Sequence, residues 1–246
     1  MALKAAPGDQ ALLLDLQAID TKLQQLDHRA KILPEHAVLQ QLAAEAETVR
    51  LSLAEQSGAV EDVKIELARV ESDVQVVETR VARDSDRLQS SSSVKDVAAL
   101  EQELVSLAKR LGDLEEIELT VMERLEEHET ALNQTRAQMD ALQVRAADLV
   151  AVRDAALATI DAERNNAAAN RRTIEAKVPT DLLALYEKQR ARYGNGASHL
   201  RGGVSSASGV KLLESDMQAI RAAAPDDVLM CADSNAILVR TSESGL

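Results

Sequence analysis

The stretch from Leu42 to Leu88 constrains this chain most. Apolar residues fall there at Leu42, Ala46, Val49, Leu53, Val60, Val63, Leu67, Val70, Val74, Val77, Val81 and Leu88, and only Gln56 and Asp84 interrupt the series. The steps alternate between four and three residues without a slip. A 3.5-residue repeat keeps one stripe of a helix turned toward a partner and imposes a left-handed coiled coil. The stretch therefore needs a second helix of similar length.

The chain supplies one. After Ser90-Ser91-Ser92-Ser93, the stripe resumes at Leu100, Leu104, Leu107, Leu111, Leu114, Val121, Leu125, Leu132, Met139, Leu142, Ala146 and Leu149, with Glu118, His128 and Thr135 as polar lapses. No proline occurs between Pro34 and Pro179, so one helix is expected from about Val94 to Ala176, roughly 120 Å long at 1.5 Å per residue. Four serines suit a tip turn, and Ser93 is placed to cap the helix that follows. Upstream, Pro7-Gly8-Asp9 opens a first helix with Asp9 as its expected cap, and Leu12, Leu16, Ile19, Leu23, Leu26 and Leu33 continue the pattern until Pro34 breaks it. Two arms of nearly equal length joined by a short turn near residues 90–93 predict an antiparallel hairpin, with the first helix beside the end of the third.

Composition agrees. The chain has no Trp, no Phe and two Tyr, whereas large globular cores lean on aromatics for buried area. A single cysteine, Cys231, excludes an internal disulfide framework. The opening Met1-Ala2-Leu3-Lys4 and the residues after it lack the apolar core of a signal peptide, and no run is long enough to span a membrane. A cytoplasmic protein is expected.

The character of the sequence changes near residue 178. Val178-Pro179 ends the long helix, and a short amphipathic one carrying Leu182, Leu183, Leu185 and Tyr186 runs up to Gly194. Beyond it lie β-like runs at Gly209–Leu213, Val228–Cys231 and Ala236–Arg240, with a short helix at Glu214–Ala223. The expected division is a coiled-coil hairpin over 1–177 and a small α+β domain over 178–246.

This tail carries a resemblance. Pro179-Thr180-Asp181-Leu182-Leu183-Ala184-Leu185-Tyr186-Glu187-Lys188-Gln189-Arg190, the Gly-rich stretch after it and Ile237-Leu238-Val239-Arg240, together with Val94-Lys95-Asp96 after the tip, resemble the bacterial family that pairs a coiled-coil hairpin with a C-terminal four-cysteine zinc ribbon. The resemblance implies a mainly α protein with a zinc-ribbon-like tail. It also implies a non-enzymatic adaptor, since members of that family contact transcription or secretion components and, in some cases, RNA. The family's two Cys-x-x-Cys pairs correspond here to Ser205 with Ser208 and to Cys231 with Ser234. Structural zinc takes thiolate or imidazole ligands, so the cofactor expectation is none, with the family's zinc lost. A structural zinc contributes on the order of 10 kcal/mol to a small domain. Without it the tail is expected to rest on Val204, Val210, Leu212, Met217, Ile220, Val228, Met230, Ile237 and Val239, and to be marginally stable.

The formal charge of −13 disfavours indiscriminate binding to polyanions. It is uneven, because residues 164–201 hold eight Lys or Arg against three acids. Arg171, Arg172, Lys177, Lys188, Arg190, Arg192 and Arg201 are therefore the candidate docking residues. Two readings stay open for them: an interface for an acidic protein or nucleic acid, and charge balance against an acidic first helix that includes Asp15, Asp20 and Asp27. His28, His36, His128 and His199 are scattered without metal-ligand spacing, no glycine loop has the form that cradles phosphate, and a continuous helix offers no cleft to perturb a carboxylate pair. The expected function is a scaffold that binds a protein partner through the hairpin and neck, with no membrane and no small-molecule substrate. The alternative is a nucleic-acid-binding regulator that uses the basic neck.

Overall fold

A computed structural model describes residues 3–246. Met1 and Ala2, where the reading of an absent leader began, lie outside the described residues. The protein is mainly helical, with α1 at Pro7–Lys31, α2 at Pro34–Ser90, α3 at Val94–Glu175, α4 at Thr180–Tyr193 and α5 at Glu214–Ala222. Four short strands, β1 (Ala197–Arg201), β2 (Val204–Ser205), β3 (Leu229–Met230) and β4 (Ile237–Val239), make one sheet. The helix breaks before Pro34, as expected, and Pro34 itself opens α2, because a proline at the first helical position lacks only an N–H that has no intrahelical partner anyway. Pro7 does the same for α1, so no side-chain cap is made there and Asp9 sits in the first turn.

Two compact units form. One is Glu35–Ala151, and the other joins the residues up to Pro34 with Val152–Leu246. In the first unit, α2 and the N-terminal part of α3 pair antiparallel. Val77 is buried against Leu107 and Leu114, flanked by Val74, Val81 and Leu111. Arg80 pairs with Glu103, Arg124 with Glu66 at 3.1 Å, and Lys64 with Glu129 at 2.9 Å. These exposed pairs contribute little individually, and the seam residues between them hold the helices together.

In the second unit, α1 runs beside the C-terminal part of α3, with Asp27 bonded to Arg164 at 2.8 Å and Asp20 to Arg171 at 2.8 Å. The sheet order is β2-β1-β4-β3, with β1 and β4 parallel and both outer pairs antiparallel. The sheet is covered on both faces. Ala197, Ile237 and Val239 pack with Leu13 and Leu16 of α1 and Leu182 and Tyr186 of α4. On the other face Leu200 and Leu238 pack with Leu212, Met217, Ile220 and Cys231. Burial on both faces is why Ile237-Leu238-Val239 reads as a continuous apolar run.

The tail therefore shares a core with α1. Two expected core residues differ: Val210 is 53% exposed and Met230 is 41% exposed. Leu200 and Leu238 take their place, and Gly209–Leu213 forms only an isolated bridge between Lys211 and Val204. The N-terminal arm closes the unit. Ala5 N–H donates to the Asp226 carbonyl at 2.8 Å, Val228 N–H donates to the Leu3 carbonyl at 3.1 Å, and Lys4 pairs with Asp226 at 3.0 Å.

Candidate functional site

The basic neck separates into two sets of cations once the side chains are placed. Asp20 lies three residues from Gln17, on the same face of α1, and is 1% exposed. Its Oδ1 accepts from Arg171 Nε at 2.8 Å, and its Oδ2 accepts from the Tyr186 hydroxyl at 2.7 Å and pairs with Arg190 at 3.1 Å. Arg171 also pairs with Glu175 at 2.9 Å and with Glu187, and Arg190 pairs with Glu187 at 3.2 Å. A buried carboxylate needs such partners, because an unpaired one costs several kcal/mol of desolvation. Burial, with the Asp20 charge beside it, pushes the Tyr186 hydroxyl well above its ordinary range, so it stays a donor. The Asp20 hydrogen bond likewise raises Arg171 above its usual value.

Next to this network, Gln17 Oε1 accepts from Gly196 N–H at 2.7 Å and Ala197 N–H at 3.2 Å, which fixes the entry into β1. Gly196 is required there: a Cβ would sit 2.5 Å from the Tyr186 ring and 2.8 Å from the Tyr186 carbonyl. Gln17 gave no signal in the sequence, where it reads as one more polar residue between heptad leucines. Arg240 gives no signal of its own in the sequence, yet its guanidinium donates to the carbonyls of Ala223, Ala224 and Asp227 at 3.1, 2.6 and 2.9 Å and so satisfies the segment that follows α5.

Of the seven candidate cations, Arg171 and Arg190 thus belong to the internal network, and Arg201 pairs with Glu243 at 2.5 Å. Arg172, Lys177, Lys188 and Arg192 are exposed on α3, on the segment after it and on α4, and Arg192 lies 5.2 Å over the Tyr193 ring. These four form no ion pair among the described residues.

The outer surface of the Glu35–Ala151 unit holds a second feature. Leu51 is 58% and Ile65 is 62% exposed on α2, with Gly58 midway between them at heptad spacing. On α3, Val105 is 72% and Leu119 is 62% exposed, with Gly112 midway. A Cβ built on either glycine meets nothing within 4 Å. Each mid-helix glycine costs about 1 kcal/mol relative to alanine, and nothing in the unit's own packing requires it.

The positions matched to metal ligands lie in two turns of the tail. Ser205 and Cys231 are buried, with the Cys231 thiol donating to Ser205 Oγ at 3.3 Å, while Ser208 and Ser234 accept from backbone N–H groups. One thiol and three neutral hydroxyls do not fit the thiolate and imidazole preference of structural zinc. Among the described residues no group of three or more His, Cys, Asp or Glu could hold a metal ion. Burial pushes the Cys231 thiol up, but hydrogen bonds with Ser205, Ser234 and the backbone at 233 and 234 outweigh it and hold the thiol below its ordinary value. His199 Nε2 is bonded to Thr241 Oγ1 at 2.8 Å. A cavity of about 300 Å³ in the same unit is lined by Gln10 and Arg240, and both donate to backbone carbonyls. Nothing in these arrangements points to catalysis. Among the described residues no helix is long and apolar enough to cross a membrane.

Comparison with known proteins places the chain. The model of the CT398-like coiled coil hairpin domain matches residues 16–194. An uncharacterised protein of Mycobacterium tuberculosis is 37% identical over 242 residues, covering 97% of this chain and 98% of the relative. A solved structure from Mycobacterium smegmatis has a TM-score of 0.86 at 35% identity, covering 97% of this chain and all of that one. The structure of CT398 from Chlamydia trachomatis has the same fold, with a TM-score of 0.63 at 16% identity and coverage of 94% and 97%. The chain belongs to the CT398-like coiled coil hairpin domain family.

Proposed function

We propose that this member of the CT398-like coiled coil hairpin family is a non-enzymatic adaptor that binds a protein partner on the outer surface of its hairpin. One observation carries the reading: the outward series Leu51-Gly58-Ile65 and Val105-Gly112-Leu119. Large apolar side chains two heptads apart, with a bare backbone between them, offer a partner helix two anchors and a notch for close approach. Glycines that cost helix stability and touch nothing internally fit an external contact. The free cations of the neck, Arg172, Lys177, Lys188 and Arg192, favour a second reading, in which that surface docks nucleic acid.

The test captures partners with the full chain and with a Gly58→Leu/Gly112→Leu variant, each with and without nuclease. Both substitutions exchange glycine for a better helix former at open positions, so the variant folds at least as well as the parent. The adaptor reading expects a protein partner that survives nuclease and is lost from the variant. Equal recovery by the variant refutes the proposed surface. Recovery that collapses with nuclease, and with Arg172→Glu/Lys188→Glu, supports the second reading.

A further inference from the structure

Two turns in the tail are built alike. In the first, Ser205 N–H donates to the Val210 carbonyl at 3.2 Å and Gly209 N–H to the Ser205 carbonyl at 2.8 Å. In the second, Cys231 N–H donates to the Ala236 carbonyl at 2.9 Å and Asn235 N–H to the Cys231 carbonyl at 3.0 Å. The fifth residue of each turn is left-handed: Gly209 has φ 70°, and Asn235 has φ 55°, the only positive φ of a non-glycine residue among the described residues. The fourth residue of each accepts from the sixth, Ser208 Oγ from Val210 N–H at 3.3 Å and Ser234 Oγ from Ala236 N–H at 3.4 Å.

The first residues of the two turns meet. Cys231 Sγ donates to Ser205 Oγ at 3.3 Å, and Ser205 Oγ is bonded to Ser198 Oγ at 2.7 Å. Ser198 Oγ in turn accepts from Ala207 N–H at 3.1 Å, inside the first turn. Ser198 and Ser205 are fully buried and Cys231 is 1% exposed. The buried polar atoms without a partner among the described residues belong to Glu35 and Gln56, so this cluster has none.

We infer that hydrogen bonds among Ser198, Ser205 and Cys231 lock the two turns together in place of a metal, so that the unit folds and stays folded with no metal bound. A paired frame of identical turns with converging first residues is what two ligand pairs around one ion need. In this chain the donors are one thiol and three hydroxyls; the hydroxyls do not ionise to bind a metal near neutral pH, and a single thiolate does not make up the ligand set of a structural zinc. The cluster is closed on itself, and it sits beside the apolar layer of Leu200, Leu212, Met217, Ile220 and Leu238. That layer, and the shared core with α1 on the other face of the sheet, supply cohesion that a small metal domain otherwise lacks.

The test uses the full chain, purified with zinc in the medium, and reads metal content and thermal unfolding followed by the tyrosine signal. The expected result is substoichiometric zinc, a midpoint unmoved by chelator or by added zinc, and a lower midpoint for Ser205→Ala. The variant S205C/S208C/S234C is expected to take up one zinc per chain and to unfold at least about 5 °C higher when loaded, a gain that chelator removes. One zinc retained by each wild-type chain, or a midpoint that chelator lowers, overturns the inference. So does a Ser205→Ala midpoint equal to wild type. A folded triple-cysteine variant that binds no zinc refutes the assigned frame of the turns.

Discussion

Replacing Asp20 with alanine removes the acceptor shared by Tyr186, Arg171 and Arg190. The three donors do not lose equally. Arg171 keeps Glu175 and Glu187 and Arg190 keeps Glu187, so neither cation is left bare. Tyr186, fully buried, keeps only a 3.5 Å approach to Gln17 Oε1. An orphaned buried hydroxyl costs about 1–3 kcal/mol, and removing one member of a buried ion pair about 3–5 kcal/mol. With the arginines partly compensated, the expected loss is about 3 kcal/mol. Asp20→Asn keeps an oxygen for Tyr186 but turns a neutral amide toward two guanidinium groups, and is expected to cost slightly less. Both tyrosines lie in this unit, and the chain has no Trp or Phe. Urea unfolding followed by tyrosine fluorescence or near-ultraviolet dichroism therefore reads this unit alone. Asp20→Ala should lower the midpoint with m unchanged, and a double-mutant cycle with Arg171→Met should give a coupling of about 1–3 kcal/mol. A coupling below about 0.5 kcal/mol would refute the network as a stabilising element.

Other changes have equally specific outcomes. Gly196→Ala should destabilise the same unit by about 1–3 kcal/mol by the same assay, because its Cβ would overlap the Tyr186 ring and carbonyl. Arg240→Ala should cost about 2–3 kcal/mol and Arg240→Lys nearly as much, since one ammonium cannot span the carbonyls of Ala223, Ala224 and Asp227 in the segment after α5. Gly58→Ala and Gly112→Ala should each stabilise the hairpin unit by about 0.5–1 kcal/mol, read by far-ultraviolet dichroism during unfolding. Lys4 holds the Asp226 carboxyl below its ordinary value. The depressed value means that this contribution is present above the unfolded pKa, about 3.9, and is lost as pH falls through the folded one. Amide protection at Ala5 and Val228 should therefore fall in acid, while that at Ile237 in the sheet centre holds. Equal loss at all three positions would show that the pair does not anchor the arm.

What the sequence revealed follows the range over which each feature is determined. The heptad stripe is local, so α2 and α3 were legible almost to their ends, at Ser90 and Glu175. Strand β1 was not, because Ala-Ser-His-Leu-Arg has no strand pattern of its own. It is extended because Ala197, Ser198 and His199 pair with Ile237, Leu238 and Val239, while Leu200 and Arg201 pair with β2. The neck was visible as an excess of cations, but which of them face inward is set by Asp20, 151 residues from Arg171 in the chain. In the sequence Asp20 is one of several acids on the first helix, alike with Asp15 and Asp27. Gly58 and Gly112 give no signal in the sequence, since a glycine within an unbroken helical stripe changes nothing in the pattern. Their meaning comes from exposure, which the stripe alone does not give.

The most direct test of the adaptor reading places a photocrosslinking amino acid at Ile65 in one version of the full chain and at Arg172 in another, with irradiation in the host cell. The account predicts a discrete protein adduct from position 65 that disappears when Gly58 is also changed to leucine. No adduct at position 65, with a nuclease-sensitive adduct at position 172, would contradict it and move the function to the neck.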